Sequence, residues 1–190
     1  MKVKITVNGE VLNKHIPNDM MLLDFLRKYG IYSVKRGCDT SNCGLCTVWV
    51  EGSPVLSCSY PAARADGKNV TTLEGVQEEA QGFARFLVDE GAEQCGYCSP
   101  GLIMTVLAMG RELDHPTDEE VRAYLSGNLC RCTGYAGQMR AIRAWLDERA
   151  EKEVQACAMC TRPSPRPTAW PSPAARASIP TTWLHGTAWW

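Results

Sequence analysis

The chain has 190 residues, 45% hydrophobic and 22% charged, with a net charge of −1. That balance suits one globular domain or two small ones. It offers no basic surface for nucleic acid or an anionic membrane, and no apolar run approaches the ~18 residues of a membrane span.

The N-terminus, Met1-Lys2-Val3-Lys4-Ile5-Thr6-Val7, alternates apolar and polar residues instead of forming the apolar block of a secretory leader, so a cytoplasmic location is expected. The alternation, the Asn8-Gly9 pair and Val11 predict a β-hairpin over residues 2–16. Leu22, Leu23 and Leu26 then fall at helical spacing, predicting a helix over about Met20–Tyr29 with Gly30 at its end. A loop rich in cysteine and glycine follows. Thr47–Val50 and Val55-Leu56 read as strands around the turn Glu51-Gly52-Ser53, and Val70–Thr72 as one more.

The pattern changes near residue 75. Residues 80–91 read as helix, and Ser99-Pro100 reads as an N-cap and first-turn pair opening a helix through Met109. Thr117-Asp118-Glu119-Glu120 is a capping box that starts a third helix near Asp118. A fourth is expected from about Gly137 to Ala150, with Ile142, Trp145 and Leu146 on one face. Residues 154–190 hold six of the eleven prolines and four of the six tryptophans but no Asp or Glu, and read as a disordered tail without a function of its own. The expected division is 1–76, α+β; 77–153, all-α; and 154–190, tail.

Ten cysteines in a chain placed in a reducing compartment argue for metal binding over disulfides. Cys38, Cys43, Cys46 and Cys58 follow C-x4-C-x2-C-x11-C, which carries the plant-type [2Fe–2S] spacing. Three sulfurs converge from one loop and a fourth arrives from the end of the next hairpin. Gly37 and Gly44 flank two of them and let backbone N–H groups approach an anionic cluster. Zinc competes poorly, because structural zinc sites favour shorter paired spacings. The second group, Cys95, Cys98, Cys130 and Cys132, follows C-x2-C…C-x-C, each pair just before a helix whose N-terminus favours negative charge. Its spacing alone leaves zinc and iron–sulfur open.

Three segments, Gly37-Cys38-Asp39…Cys43-Gly44-Leu45-Cys46-Thr47-Val48, Gln94-Cys95-Gly96-Tyr97-Cys98-Ser99-Pro100-Gly101 and Gly127-Asn128-Leu129-Cys130-Arg131-Cys132-Thr133-Gly134-Tyr135, resemble the small iron–sulfur subunit of the xanthine oxidase family of molybdenum hydroxylases. The resemblance spans about residues 1–150. It implies a plant-type ferredoxin-like β-grasp domain followed by a four-helix domain, and two [2Fe–2S] clusters on the eight cysteines just named. It also implies electron relay from a molybdopterin centre on a large partner subunit to a flavin (FAD) on a medium subunit, or to another acceptor. Xanthine or other N-heterocycle, aldehyde and carbon monoxide dehydrogenases all remain open as the parent complex. Gln94 and Cys132 are expected from the resemblance to lie against the pterin.

The chain departs from the family pattern at Ser41-Asn42, where Gly-Gly is common, at Leu45, where Ala is common, and at Gln138, where an aliphatic residue is common. Asn42 is expected to supply the left-handed backbone that lets the loop close. Cys157 and Cys160 form a further C-x2-C with no second pair to complete a site and read as free thiols, and His15, His115 and His185 as surface residues. A free-standing ferredoxin would leave the helical half without a purpose, and a zinc-bound interaction module would be colourless.

Overall fold

A computed structural model describes the backbone of residues 1–160 and the side chains of residues 1–155. Residues Met1–Glu151 form one compact unit. The expected hairpin is present as β1 (Lys2–Val7) and β2 (Glu10–His15). Asn8 and Gly9 both take positive φ, 51° and 87°, the two left-handed residues that a tight hairpin turn matching the strand twist requires. Val3, Ile5 and Val7 point to one side of β1 and are buried against α1 (Leu22–Lys28), which contributes Leu22, Leu23, Phe25 and Leu26.

β3 (Thr47–Val50) and β4 (Ser53–Leu56) make a second hairpin, and β5 (Asn69–Thr71) lies between the two, giving the order β2-β1-β5-β3-β4. β1 and β5 pair parallel and the other neighbours antiparallel, so the sheet is mixed. All four residues of β3 are buried. Val48 and Val50 face the core shared with α1, whereas Trp49 enters a second core made by the helices that follow. Strand alternation therefore sends one interior strand into two cores, which is why Val48-Trp49-Val50 is apolar without interruption.

Those helices are α2 (Gln77–Asp89), α3 (Ser99–Glu112), α4 (Asp118–Tyr124) and α5 (Ala136–Cys160). Phe83 and Leu87 of α2, Leu102–Met109 of α3, Val121 of α4 and Ile142 and Trp145 of α5 fill the second core. The Trp49 indole N–H donates to the Met104 carbonyl at 3.0 Å, and the Arg111 guanidinium lies 4.1 Å from the Trp49 ring.

The capping box of α4 is complete: Glu120 N–H donates to Thr117 Oγ1, and Thr117 N–H to Glu120. Helix α2 starts three residues before its expected start and ends two before its expected end, α3 runs three residues past Met109, and two further ends differ for reasons the residues show. Cys98, not Ser99, is the N-cap of α3, and Ser99 is the first helical residue, its hydroxyl donating to Glu93 at 3.0 Å. α5 runs ten residues beyond Ala150, to Cys160, so residues 154–160 are helical where a tail was expected. Glu151–Cys160 contains no glycine or proline and is rich in good helix formers, so nothing in it stops the helix. The remainder of the expected tail, 161–190, lies outside the described residues, as do the side chains of Cys157 and Cys160. Among the described residues no helix is long and apolar enough to cross a membrane.

Candidate functional site

The first cysteine group is built by the loop between α1 and β3. Cys43 and Cys46 are buried and Cys38 half-buried. The β3–β4 hairpin returns the chain beside Cys46, where Ser57 N–H and Ser57 Oγ both donate to the Cys46 carbonyl, at 3.3 and 2.7 Å, leaving Cys58 next to Cys46. Cys38 interacts with Cys43, and Cys46 with Cys58. The Asn42 N–H, the Cys43 side chain and the Thr40 N–H draw the Cys38 thiol down to about 6. Burial pushes Cys43 up, against N–H groups of Leu45 and Gly37, and pushes Cys46 up to about 11. The loop thus aims several backbone donors at its sulfurs, the arrangement a negative cluster needs. Glycine at 37 is required by space: a Cβ there would meet Leu45 Cδ2 at 2.6 Å.

The left-handed non-glycine residue of this loop is Ser41, with φ 56°, and not Asn42. Its hydroxyl oxygen lies 3.5 Å from Cys58 Sγ.

The second group gathers at the start of α3 and in the loop before α5. Cys132 Sγ is 3.5 Å from Cys95 Sγ, and Cys98 is in side-chain contact with Cys130. Thr133 Oγ1 donates to Cys130 Sγ at 3.2 Å, and Cys130 N–H donates to the Tyr135 hydroxyl at 3.0 Å. Burial, then the Cys130 thiol, push Cys98 up to about 12. Burial also opposes ionisation of Cys130, but the Thr133 hydroxyl and the N–H groups of Thr133 and Cys132 outweigh it and hold that thiol below its usual range. Cys95 and Cys132 are exposed, unlike any cysteine of the first group.

The two groups lie side by side. Cys38 and Cys43 share a cavity of about 400 Å³ with Cys95, Cys98, Cys130 and Cys132; Cys46 and Cys58 are not on its wall. Leu129 N–H donates to the Cys43 carbonyl at 3.0 Å, so the residue next to Cys130 is bonded to the main chain of Cys43. The Tyr97 hydroxyl donates to the Arg36 carbonyl at 2.9 Å, a second tie between the loops. Gln94 is exposed, adjacent to Cys95 and off the cavity wall, and its side chain hydrogen-bonds no described residue. His15 and His115 are exposed and apart from both groups; His185 lies outside the described residues.

Among the described residues no three His, Cys, Asp or Glu side chains converge to hold a single metal ion. The eight thiols gather two by two instead: Cys38 with Cys43, Cys46 with Cys58, Cys95 with Cys132, Cys98 with Cys130. A mononuclear zinc site needs four donors about one point. Each iron of a [2Fe–2S] cluster takes two thiolates, and the pairwise arrangement fits two such clusters. Sequence reasoning missed the contributions of Ser41, Thr133, Leu129 and Tyr97. Leu129, Thr133 and Tyr97 lie within the cysteine motifs, but no spacing signals which main-chain or hydroxyl group meets which partner.

Residues 5–72 match the family described as 2Fe-2S iron-sulfur cluster binding domain, and residues 72–143 the [2Fe-2S] binding domain family. The chain is 42% identical over 144 residues to the nicotinate dehydrogenase small FeS subunit of Eubacterium barkeri, covering 74% of this chain and 92% of that one. It is 45% identical over 140 residues to the xanthine dehydrogenase iron-sulfur-binding subunit of Escherichia coli O157:H7, covering 70% and 86%. Among solved structures, quinoline 2-oxidoreductase from Pseudomonas putida 86 superposes with a TM-score of 0.72 at 34% identity, over 80% of this chain and 96% of that one.

Proposed function

Since the chain belongs to the family of iron–sulfur small subunits of molybdenum hydroxylases, we propose that its eight described cysteines hold two [2Fe–2S] clusters. It is the electron-transfer subunit of such an oxidoreductase and hydroxylates nothing alone. When bound, each cluster accepts and passes on one electron at a time. Cys38, Cys43, Cys46 and Cys58 hold the first cluster; Cys95, Cys98, Cys130 and Cys132 hold the second. The observation that carries this reading is the two-by-two gathering of the thiols within loops that turn backbone N–H groups toward sulfur.

The protein's own work is positional. The Cys43 carbonyl and Leu129 N–H fix the two cysteine loops to each other, and the Tyr97–Arg36 bond holds them from the side. The side of the second group that exposes Cys95 and Cys132, with Tyr97, Leu129 and Tyr135 also 41–48% exposed, is the face through which a large molybdopterin-binding subunit delivers electrons. Gln94 and Cys132 lie on that face and meet the pterin. A medium FAD-binding subunit is the acceptor's place in the complex. The mixed sheet with α1, residues 1–76, is the ferredoxin-like β-grasp domain, and residues 77–153 are the four-helix domain. Reduced, metal-holding thiols fit a cytoplasmic setting.

The test is iron and acid-labile sulfide per chain on protein prepared without oxygen in a host able to build clusters. Two of each per cluster, hence about four of each per chain, are expected. Zinc without sulfide overturns the reading. For the pterin face, Gln94→Ala in the assembled complex should reduce cofactor content and turnover; unchanged values of both remove Gln94 from that role.

A further inference from the structure

The loop that carries three cysteines of the first group spends its one strained non-glycine residue on Ser41. At φ 56° this residue occupies the left-handed region, which glycine takes freely and an L side chain takes at a cost. Its neighbours use their polar groups on each other, Thr40 Oγ1 donating to Asn42 Oδ1 at 3.0 Å. Ser41 instead sets its hydroxyl 3.5 Å from Cys58 Sγ.

Cys58 differs from the other three cysteines of its group in origin. Cys38, Cys43 and Cys46 lie in the loop, where the N–H groups of Asn42, Thr40, Leu45 and Gly37 reach the first two. Cys58 comes in from the far end of the β3–β4 hairpin, and a loop side chain reaches across to it. With a free thiol, Cys58 donates to the hydroxyl; with a metal-bound thiolate the only proton in the pair belongs to Ser41, so the hydroxyl donates to sulfur.

We propose that Ser41 is a positioning residue that raises the reduction potential of the cluster held by Cys58. The inference rests on the ligand reading above. Reduction adds one negative charge to the cluster, and a donor aimed at a ligating sulfur stabilises that charge more in the reduced than in the oxidised form. The cluster held by Cys95, Cys98, Cys130 and Cys132 receives nothing from Ser41.

The experiment is a redox titration of the cluster-loaded protein, followed by the paramagnetic resonance signals of both reduced clusters, for wild type, Ser41→Ala, Ser41→Gly and Ser41→Thr. Loss of the hydroxyl in Ala and Gly should shift the first cluster's midpoint to more negative values, with the second cluster's midpoint and the iron and sulfide content unchanged. Ser41→Thr, which keeps the hydroxyl, should return most of the shift. Ser41→Gly relieves the backbone, so it reports even if the Ala protein fails to load. Unmoved potentials in a fully loaded Gly variant overturn the inference. So does an Ala-specific shift that Gly lacks, because that assigns the effect to backbone geometry. Failure of wild type itself to load two clusters sinks the ligand reading, a separate result from full loading with an unmoved potential.

Discussion

Gly101 lies against Gly44 so closely that a Cβ built on Gly101 would stand 2.4 Å from the Gly44 carbonyl oxygen and 2.8 Å from Leu45 Cα. Both obstacles are main chain, so nothing rotates out of the way. This contact seats the start of α3 on the loop of the first cysteine group.

Gly101→Ala should therefore lower stability, by about 1–3 kcal/mol, the usual cost of overpacking a close contact. Gly82, inside α2, meets nothing within 4 Å of its virtual Cβ. Gly82→Ala should raise stability by about 0.5–1 kcal/mol through helix propensity and a less flexible unfolded chain. Thermal unfolding of the two variants should move in opposite directions; equal shifts would refute the close-contact account.

Trp49 ties the sheet to the helices. Trp49→Phe keeps most of the buried ring but loses the 3.0 Å bond to the Met104 carbonyl, at about 1 kcal/mol. Trp49→Ala removes the ring altogether and should cost about 3–5 kcal/mol. Denaturant midpoints measure both; a Phe variant as damaged as the Ala variant would show that the hydrogen bond, not the packing, dominates.

Glu74 accepts from Ser33 N–H at 3.1 Å, Ser33 Oγ at 2.6 Å and Thr72 Oγ1 at 2.6 Å. Burial opposes its ionisation, but these bonds win and hold the carboxyl below its ordinary 4.5. A carboxyl with a depressed folded pKa contributes stability above its unfolded pKa and loses it as pH falls through the folded value. The melting-temperature difference between wild type and Glu74→Gln should hence be constant near neutrality and shrink below about pH 4.5. A difference that grows with acidity would reverse the assignment.

Gln138 is 5% exposed, lines a cavity of about 310 Å³ with Leu102, Leu125, Met139 and Ile142, and bonds no described residue. Gln138→Leu should stabilise the isolated chain by about 1 kcal/mol, since a leucine there adds apolar surface against Leu102 and Ile142. Destabilisation in a thermal melt would mean that the amide has a partner in the loaded protein.

Chelator sensitivity should separate the two clusters. Cys95 and Cys132 are exposed, whereas Cys43 and Cys46 are buried at 5% and 2% exposure. A strong iron chelator added to the chain without its partners should bleach the second cluster's resonance signal first. Loss of both at one rate would show that opening of the whole unit, and not local exposure, limits release.

What could be read from the sequence was local. Asn8-Gly9 and the Thr117–Glu120 box are each decided by residues a few positions apart, and each stands as expected. The parallel pairing of β1 with β5 links Val7 to Val70, and no local pattern encodes such a partner. The tight seat of Gly101 on Gly44 is likewise set by packing between distant segments. Ser99 was expected to cap α3, but Glu93 takes its hydroxyl, and the cap falls one residue earlier, on Cys98, so that the helix begins at Ser99. The left-handed position fell on Ser41 and not Asn42, because the path of the loop around its sulfurs, and not residue preference, decides which residue bears it.

The bond from Leu129 N–H to the Cys43 carbonyl uses no side-chain atom. Sequence drift at either position passes over it: any residue but one at 129 supplies the same donor, and any residue at 43 the same acceptor. Proline at 129 is the exception, since it alone lacks the N–H. The link between the two cysteine loops is thus inherited with the course of the main chain, and relatives could lose every side-chain contact at this seam and still keep it.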